Sequence, residues 1–376
     1  MNYKIKILLL VHVLSVQLLS AQLFPPSFYK SSELDSSLDN SIIFRIENSN
    51  FLKNNEYFND IIQGYTLIGW FVNPKLTYHP SKNAKIEAGV HFLKYSGIDN
   101  FTRVLPTLSF QYKINQSIDV ILGTLYGNTN HNMIEPLFRY EYFFTDNIEN
   151  GLQFLFKTNR YKGDLWINWQ EFIFKGDDKQ EIFTMGISNH FFISNKESQH
   201  QFSIPLQILF VHQGGQINET NKKLITHNND AIGLSYAYHF TNSFFKTVGT
   251  ENYYLIYKDM SGNNQFPYLL GYGLYTNLFA QAGDFHARAS WWYGDHYISL
   301  RGNPIFQSKS TIYTSHYEKQ RALVSGRLMY EKEAIKGLNI GAGLEMYFDL
   351  YNYYTDYWYM FYINFNRDFF IKKHIK

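Results

Sequence analysis

The sequence predicts an all-β protein, a transmembrane antiparallel β-barrel of about 16 strands (range about 14–18), on three observations. Runs of about ten residues in which apolar and polar side chains alternate recur along most of the chain. In one of them Val104, Pro106, Leu108, Phe110 and Tyr112 interleave with Arg103, Thr107, Ser109, Gln111 and Lys113. A strand has a side-chain period of two, so such a run has one greasy and one wet face. The greasy face is aromatic: 19% of the 376 residues are aromatic, with 31 Tyr and 33 Phe, and only 18% are charged, against roughly 25% in an average soluble domain. After residue 21 no stretch of about 18 apolar residues remains to form a membrane helix, so a membrane location requires strands.

Residues 1–21 read as a secretory signal. Lys4 and Lys6 give the positive start, 7–19 the apolar stretch, and Ser20 and Ala21 the small residues before Gln22. Leu19 stands where a small residue is usual, so the cut lies within a few residues of Ala21. Residues 22–60 form a polar N-terminal lead-in with Pro25, Pro26 and a Ser/Asp/Asn-rich stretch at 31–41; this segment either stays periplasmic or folds into the lumen. The barrel is assigned to 61–367 and a basic tail to 368–376.

The mature 355 residues, at roughly 22 per strand plus connection, accommodate about 16 strands. They are expected near 62–72, 85–95, 103–113, 117–126, 134–144, 148–157, 163–175 and 181–193. The second half offers 200–213, 229–240, 244–258, 267–281, 283–300, 317–331, 337–349 and 356–367, and 42–47 offers one more. Short connections at 115–116, 145–147, 241–243, 282–283 and 332–336 alternate with long ones at 96–102, 127–133, 214–228, 259–266 and 301–316. This parity puts the C-terminus in the periplasm but slips once between about 158 and 213, so one strand there is miscounted. Pro106 and Pro205 fall inside strands, where the missing N–H predicts a bulge or a strand end.

Composition excludes several functions. A net charge of +2 and the lack of a basic run interleaved with aromatics leave no nucleic-acid partner. With no Cys there is no disulfide framework, thiolate metal site or acylated lipoprotein anchor. No cofactor or metal is implied. Ser188-Asn189-His190 and Ser315-His316 are neighbours that 13 scattered histidines produce by chance, and His227–Asp230 reads as loop polarity, so the expectation is no enzyme and no catalytic residues.

With the greasy parity facing lipid, the other parity assigns Arg103, Glu135, Arg139, Glu141, Arg288, Arg321, Arg327 and Glu345 to the pore lining. Facing rings of both signs orient dipolar solutes without strong ion selectivity. The plainer reading is that inward charges pair across the wall. Trp166 and Trp292 share the lumenal parity and are candidates for stacking on a ligand, with an interfacial girdle as the plainer reading; Trp291 must point the opposite way from Trp292.

The signal, the alternating strands, the two classes of connection and the aromatic last strand at 356–365 together resemble the porin-like outer-membrane β-barrels of Gram-negative bacteria, particularly the aromatic-rich type of the Bacteroidota. The resemblance covers about residues 60–367 and identifies no particular porin family. It implies an outer-membrane location, contact with outer-membrane lipid, and a terminal aromatic read by the barrel-assembly machinery. Here Phe365, Phe369 and Phe370 compete for that place because a basic tail follows. By analogy it is compatible with a homo-oligomer. The expected function is passive diffusion of small polar solutes, with segments 214–228 and 301–316 as constrictions. The alternative is a non-conducting barrel acting as surface anchor, adhesin or secretion-machinery subunit.

Overall fold

Sixteen antiparallel strands close into one barrel in the computed structural model, which describes residues 24–195, 198–215, 217, 220–263 and 265–372. The secretory signal at 1–21 and the last four residues lie outside the described residues. The strands are β1 (Ile42–Glu56), β2 (Tyr65–Ser81), β3 (Ala84–Tyr95), β4 (Arg103–Asn115), β5 (Ile118–Thr124), β6 (Asn150–Lys157), β7 (Tyr161–Glu171) and β8 (Ile182–Phe192). They continue with β9 (His200–Gln213), β10 (Ile225–His239), β11 (Phe245–Asp259), β12 (Leu270–Ala282), β13 (Phe285–Asp295), β14 (Gln320–Ile335), β15 (Leu338–Asp349) and β16 (Thr355–Lys372). Each pairs with its chain neighbours, and β1 closes on β16 from Ile43↔Phe370 to Glu56↔Tyr357. Closure leaves no unpaired strand edge, which a bilayer core does not tolerate.

Two expected boundaries are corrected, and their effects on the strand count cancel. The stretch 134–144 alternates like a strand but is none. β5 pairs directly with β6, so 125–149 forms one connection that turns into the lumen. Conversely, the polar lead-in of 22–60 contains β1, whose alternation is masked because asparagines occupy much of its outward face. Removing 134–144 also repairs the parity, since 158–160 and 193–199 then become short connections. The basic tail is corrected too: β16 runs on to Lys372, with Phe369 beside Phe44 on the outer wall, ring centroids 6.4 Å apart.

One end of the barrel carries the short connections 82–83, 116–117, 158–160, 193–199, 240–244, 283–284 and 336–337, together with the start of β1 and the end of β16. The other end carries 57–64, 96–102, 125–149, 172–181, 214–224, 260–269, 296–319 and 350–354. Short turns mark the periplasmic side and longer loops the cell exterior. On β4, Val104, Leu108, Phe110 and Tyr112 are exposed outward while Ser109 and Gln111 are buried inward, as alternation requires. Pro106 sits beyond the reach of β5, whose pairing with β4 begins at Ser109, so no ladder bond is lost there. Pro205 does interrupt its ladder: pairing with β10 passes from Leu206 directly to Ser203.

The lumen is filled rather than open along its axis. Residues 24–41 enter from the periplasmic end, and Phe24 and Phe28 are buried against Tyr140 and Phe143 of the inward loop, ring centroids 4.0 and 4.8 Å apart. Polar contacts fix the same segment: Thr129 Oγ1 donates to Phe28 O (2.5 Å), Lys30 N to Asn130 Oδ1 (3.0 Å), and Gln111 Nε2 to Ser32 O (2.7 Å). The expected constriction at 301–316 does pack inward. Arg139 N donates to Arg301 O (2.9 Å), and Tyr297 Oη to Pro136 O (3.1 Å). Of the other expected constriction, 214–228, residues 220–224 instead stay at the rim, where Gln180 Nε2 donates to Lys223 O (3.1 Å), and 225–228 belong to β10.

Candidate functional site

Clusters of charge in the lumen join the barrel wall to the inserted segments. At the centre Arg327 (β14) lies between Glu345 (β15), 2.7 Å away, and Glu135 of the inward loop. Glu345 also accepts from Tyr347 Oη (2.6 Å) and Trp358 Nε1 (2.9 Å), so its lone pairs are used. Beside it Lys53 (β1) pairs with Glu141 at 2.8 Å, its ammonium over the Trp358 ring at 5.0 Å. These side chains are buried, and a buried charge is tolerated only where it is paired and hydrogen-bonded.

The second cluster centres on His131 of the inward loop, held between Glu149 (3.0 Å from Nε2) and Asp164 of β7 (2.8 Å from Nδ1). Gln153 Nε2 donates to Asp164 at 2.9 Å. Burial pulls the imidazole toward the neutral form, but the two carboxylates outweigh it and its pKa is pushed up to about 9. Burial likewise favours neutral Glu149, and the His131 cation outweighs that and holds it below the usual carboxylate range.

The third cluster lies toward the periplasm. Glu47 pairs with Lys75 (2.6 Å) and Lys30 (3.2 Å), and Arg45 with Asp368 (2.5 Å) and Glu87 (3.4 Å). A small recess of mixed polar and apolar lining lies there between Lys30, Lys75, Glu87, Ser109 and Tyr126.

The expected pore-lining residues therefore all lie inward or at the rim, but in different roles. Glu135, Arg139 and Glu141 belong to the inserted loop rather than to one strand wall, because 134–144 is not a strand. Arg139 packs over Tyr142 at 4.4 Å. Arg321 is buried, paired with Glu318 and with Asp349 at 3.5 Å. Arg288 is buried on the inward face of β13. Arg103 is the exception: it is largely exposed at the extracellular rim, where it pairs with Asp146 at 2.6 Å.

Trp166 and Trp292 point inward, as parity requires, but their faces are taken by protein. Trp166 lies on His131 with ring centroids 3.5 Å apart, and its other side covers Gly186, its partner in register on β8. Trp292 packs against Tyr297 and Phe306 at 5.1 and 5.4 Å. The ligand-stacking assignment is corrected accordingly, since ligand access requires a bare ring face. His227–Asp230 is not a loop either. It lies on β10, where alternation sends His227 and Asn229 inward and Asn228 and Asp230 outward, so the four cannot converge on a cation. Among the described residues no group of three or more His, Cys, Asp or Glu is placed to hold a metal ion. His131, Glu149 and Asp164 leave no joint signal in the sequence, because only the inward turn of 125–149 unites them.

Among solved structures the chain is similar to the outer membrane protein OprD from Pseudomonas aeruginosa, at 6% identity and TM-score 0.52, covering 89% of this chain and 95% of that one. It is similar to opdK from the same organism at 6% identity and TM-score 0.52, covering 88% of this chain and 100% of that one. For an anion-selective porin from Comamonas acidovorans the figures are 11% identity and TM-score 0.50, with 87% and 99% covered. At such identities the likeness concerns the fold, a porin-like outer-membrane barrel of Gram-negative bacteria. No curated protein sequence matches. A family profile, described as lipid A 3'-O-deacylase-type, matches residues 34–374. The chain belongs to the lipid A 3'-O-deacylase-type family. Membership in a deacylase-type family overturns the expectation of a barrel without enzymatic activity, because that family is named for an ester-cleaving enzyme. The sequence hid this because no cluster of catalytic residue types converges along the chain.

Proposed function

We propose that this protein is an outer-membrane hydrolase that removes an ester-linked acyl chain from lipid A in the outer leaflet. The observation that carries the reading is the deacylase-type profile match over 34–374, which spans β1 to β16. The lumen supports it indirectly. A sixteen-stranded barrel is wide enough for a water path, yet here residues 24–41, 125–149 and 296–319 pack its interior with buried rings and paired charges. A lipid substrate does not need that path, because it meets the protein from the bilayer.

A second reading is restricted passage of small polar solutes with weak ion selectivity. It is favoured by the small recess beside Lys30, Lys75 and Glu87 and by the inward charges of both signs. One experiment separates the two. The refolded, heat-modifiable full-length chain is incubated with lipid A vesicles and also inserted in a planar bilayer. Release of one fatty acid, seen by mass spectrometry as lipid A lacking a 3'-linked acyl chain, supports the hydrolase. Unaltered lipid A together with discrete conductance steps overturns it in favour of the channel.

A further inference from the structure

A substrate dissolved in the outer leaflet can touch only the outward wall and the extracellular rim, so the lumenal His131 cluster, closed off by the wall, is out of its reach. On that outward surface a histidine and a carboxylate meet at the extracellular end of β13. Asp295 has the outward parity of Trp291 and Tyr293, and His296 follows it as the first residue of the loop. The His296 ring bonds through Nδ1 to Asp295 Oδ1, and Gln320, paired with Asp295 in register on β14, donates from Nε2 to Oδ2 at 2.9 Å. Both carboxylate oxygens are thus occupied, and the imidazole orientation is set from the side of Nδ1.

The backbone supports the same assignment. His296 has φ 54°, the left-handed region that non-glycine residues rarely adopt, and its N–H donates to Lys319 O at 2.6 Å. Such strain persists where the surroundings impose it, and it clusters at functional positions. Aromatic rings surround the pair. Tyr268 meets the imidazole edge-on at 4.2 Å and Tyr317 lies behind Tyr268 at 6.3 Å. Tyr272 is the register partner of Asp295 on β12. Trp291 and Tyr293 stack just below, at 6.4 Å. Tyr and Trp on an outward wall mark the bilayer interface, so the pair sits where the acyl-ester linkages of a glycolipid meet water. About a third of each side chain is exposed: 29% for Asp295 and 33% for His296.

We propose that His296 is the general base of ester hydrolysis and Asp295 its positioning residue, acting on an acylated glycolipid at the extracellular edge of β13. The proposal rests on the hydrolase reading above and supplies its site. With Nδ1–H donated to Asp295, Nε2 carries the free lone pair. Nε2 takes a proton from a water molecule as that oxygen bonds to the ester carbonyl carbon. The tetrahedral intermediate collapses with cleavage of the bond between the carbonyl carbon and the sugar oxygen, and the imidazolium returns the proton to that oxygen. The products are a fatty acid and a free sugar hydroxyl, with water as the only co-reactant.

The test uses the refolded full-length chain and lipid A vesicles, with heat-modifiable migration as the criterion of folding. His296→Asn is chosen because Asn tolerates the left-handed conformation. It should lose at least about a hundredfold in rate, the typical contribution of a general base. Asp295→Asn should lower kcat with KM unchanged, as expected of a group that orients the base. His212→Gln, at the outer wall on β9 and away from the pair, should retain the wild-type rate. Wild-type cleavage with His296→Asn within about twofold overturns the site and leaves the hydrolase reading standing, whereas a folded wild type that cleaves nothing overturns both.

Discussion

His131 and Trp166 lie face to face inside the barrel, with centroids 3.5 Å apart and ring planes within 9° of parallel. One residue belongs to the inserted loop and the other to the wall, so this contact ties the plug to the barrel. Its counterpart on the far side of the indole is the absence of a side chain at Gly186, where a Cβ would stand 2.0 Å from Trp166 Cζ2. Gly186→Ala should therefore displace the indole and destabilise the fold by about 1–3 kcal/mol. Trp166→Ala should cost about 3–5 kcal/mol. The double variant should fall well short of the sum because the two changes share one volume. Denaturant unfolding followed by heat-modifiable migration measures all three, and additive losses would refute the coupling.

The same histidine predicts a pH dependence. Its folded pKa of about 9 lies above the ordinary 6.5, so its stabilising contribution is complete below about 6.5 and lost as the pH rises through 9. Glu149, held below its ordinary value, contributes above about 4.5 and loses that contribution in acid. The loop 125–149 should accordingly be held most tightly between about pH 4.5 and 6.5. Limited proteolysis in detergent should show cleavage within 125–149 increasing above pH 8 in wild type. In His131→Gln that step should vanish, and its persistence would place the titration on another group.

Arg327 answers for two carboxylates at once, Glu135 and Glu345, with all three buried. Arg327→Ala leaves an uncompensated pair of like charges and should cost about 3–5 kcal/mol. Arg327→Met combined with Glu135→Gln and Glu345→Gln should recover most of that loss. Arg103→Ala is the contrasting case: its ion pair with Asp146 is largely exposed, so a change under about 1 kcal/mol is expected. Equal losses for Arg327→Ala and Arg103→Ala in denaturant melts would contradict the buried network.

How much of this was legible follows from which forces leave a periodic trace. Alternation along β4 or β16 is imposed by lipid on one face, so the facing of each side chain can be read from Val104–Tyr112 or from the last strand, while barrel and orientation follow from the recurrence of such strands and the alternation of short and long connections. The stretch 134–144 shows the limit. It packs Leu137, Phe138, Tyr140 and Phe143 into a closed lumen, and an aromatic loop in such surroundings imitates a strand. β1 errs in the opposite direction: Asn48 and Asn50 face outward and bond to one another and to Phe71 O, hiding the alternation. Asp295 and His296 are adjacent in the chain, yet adjacency alone carries no signal, because their significance lies in the outward parity, the girdle level and the left-handed backbone.

The N-terminal segment is held on two sides. Phe28 packs on Phe143 and edge-on to Tyr362, both at 4.8 Å. Ser27 N donates to Glu331 Oε1 at 3.2 Å, and Asn364 Nδ2 donates to Ser27 Oγ at 2.8 Å. The segment thus bridges the inserted loop to β14 and β16. The loop has the wall contacts of His131, Glu135 and Glu141 to hold it without that bridge. Deleting 24–38 should therefore leave a folded barrel with a widened water path on its periplasmic side. Single-channel steps should appear, or exceed whatever conductance the wild type shows, while the heat-modifiable band persists. Phe28→Ala, which removes one ring and keeps the polar contacts, should give an intermediate increase. If neither variant changes conductance, the loops 125–149 and 296–319 seal the lumen by themselves and the N-terminal segment is a brace, not a stopper.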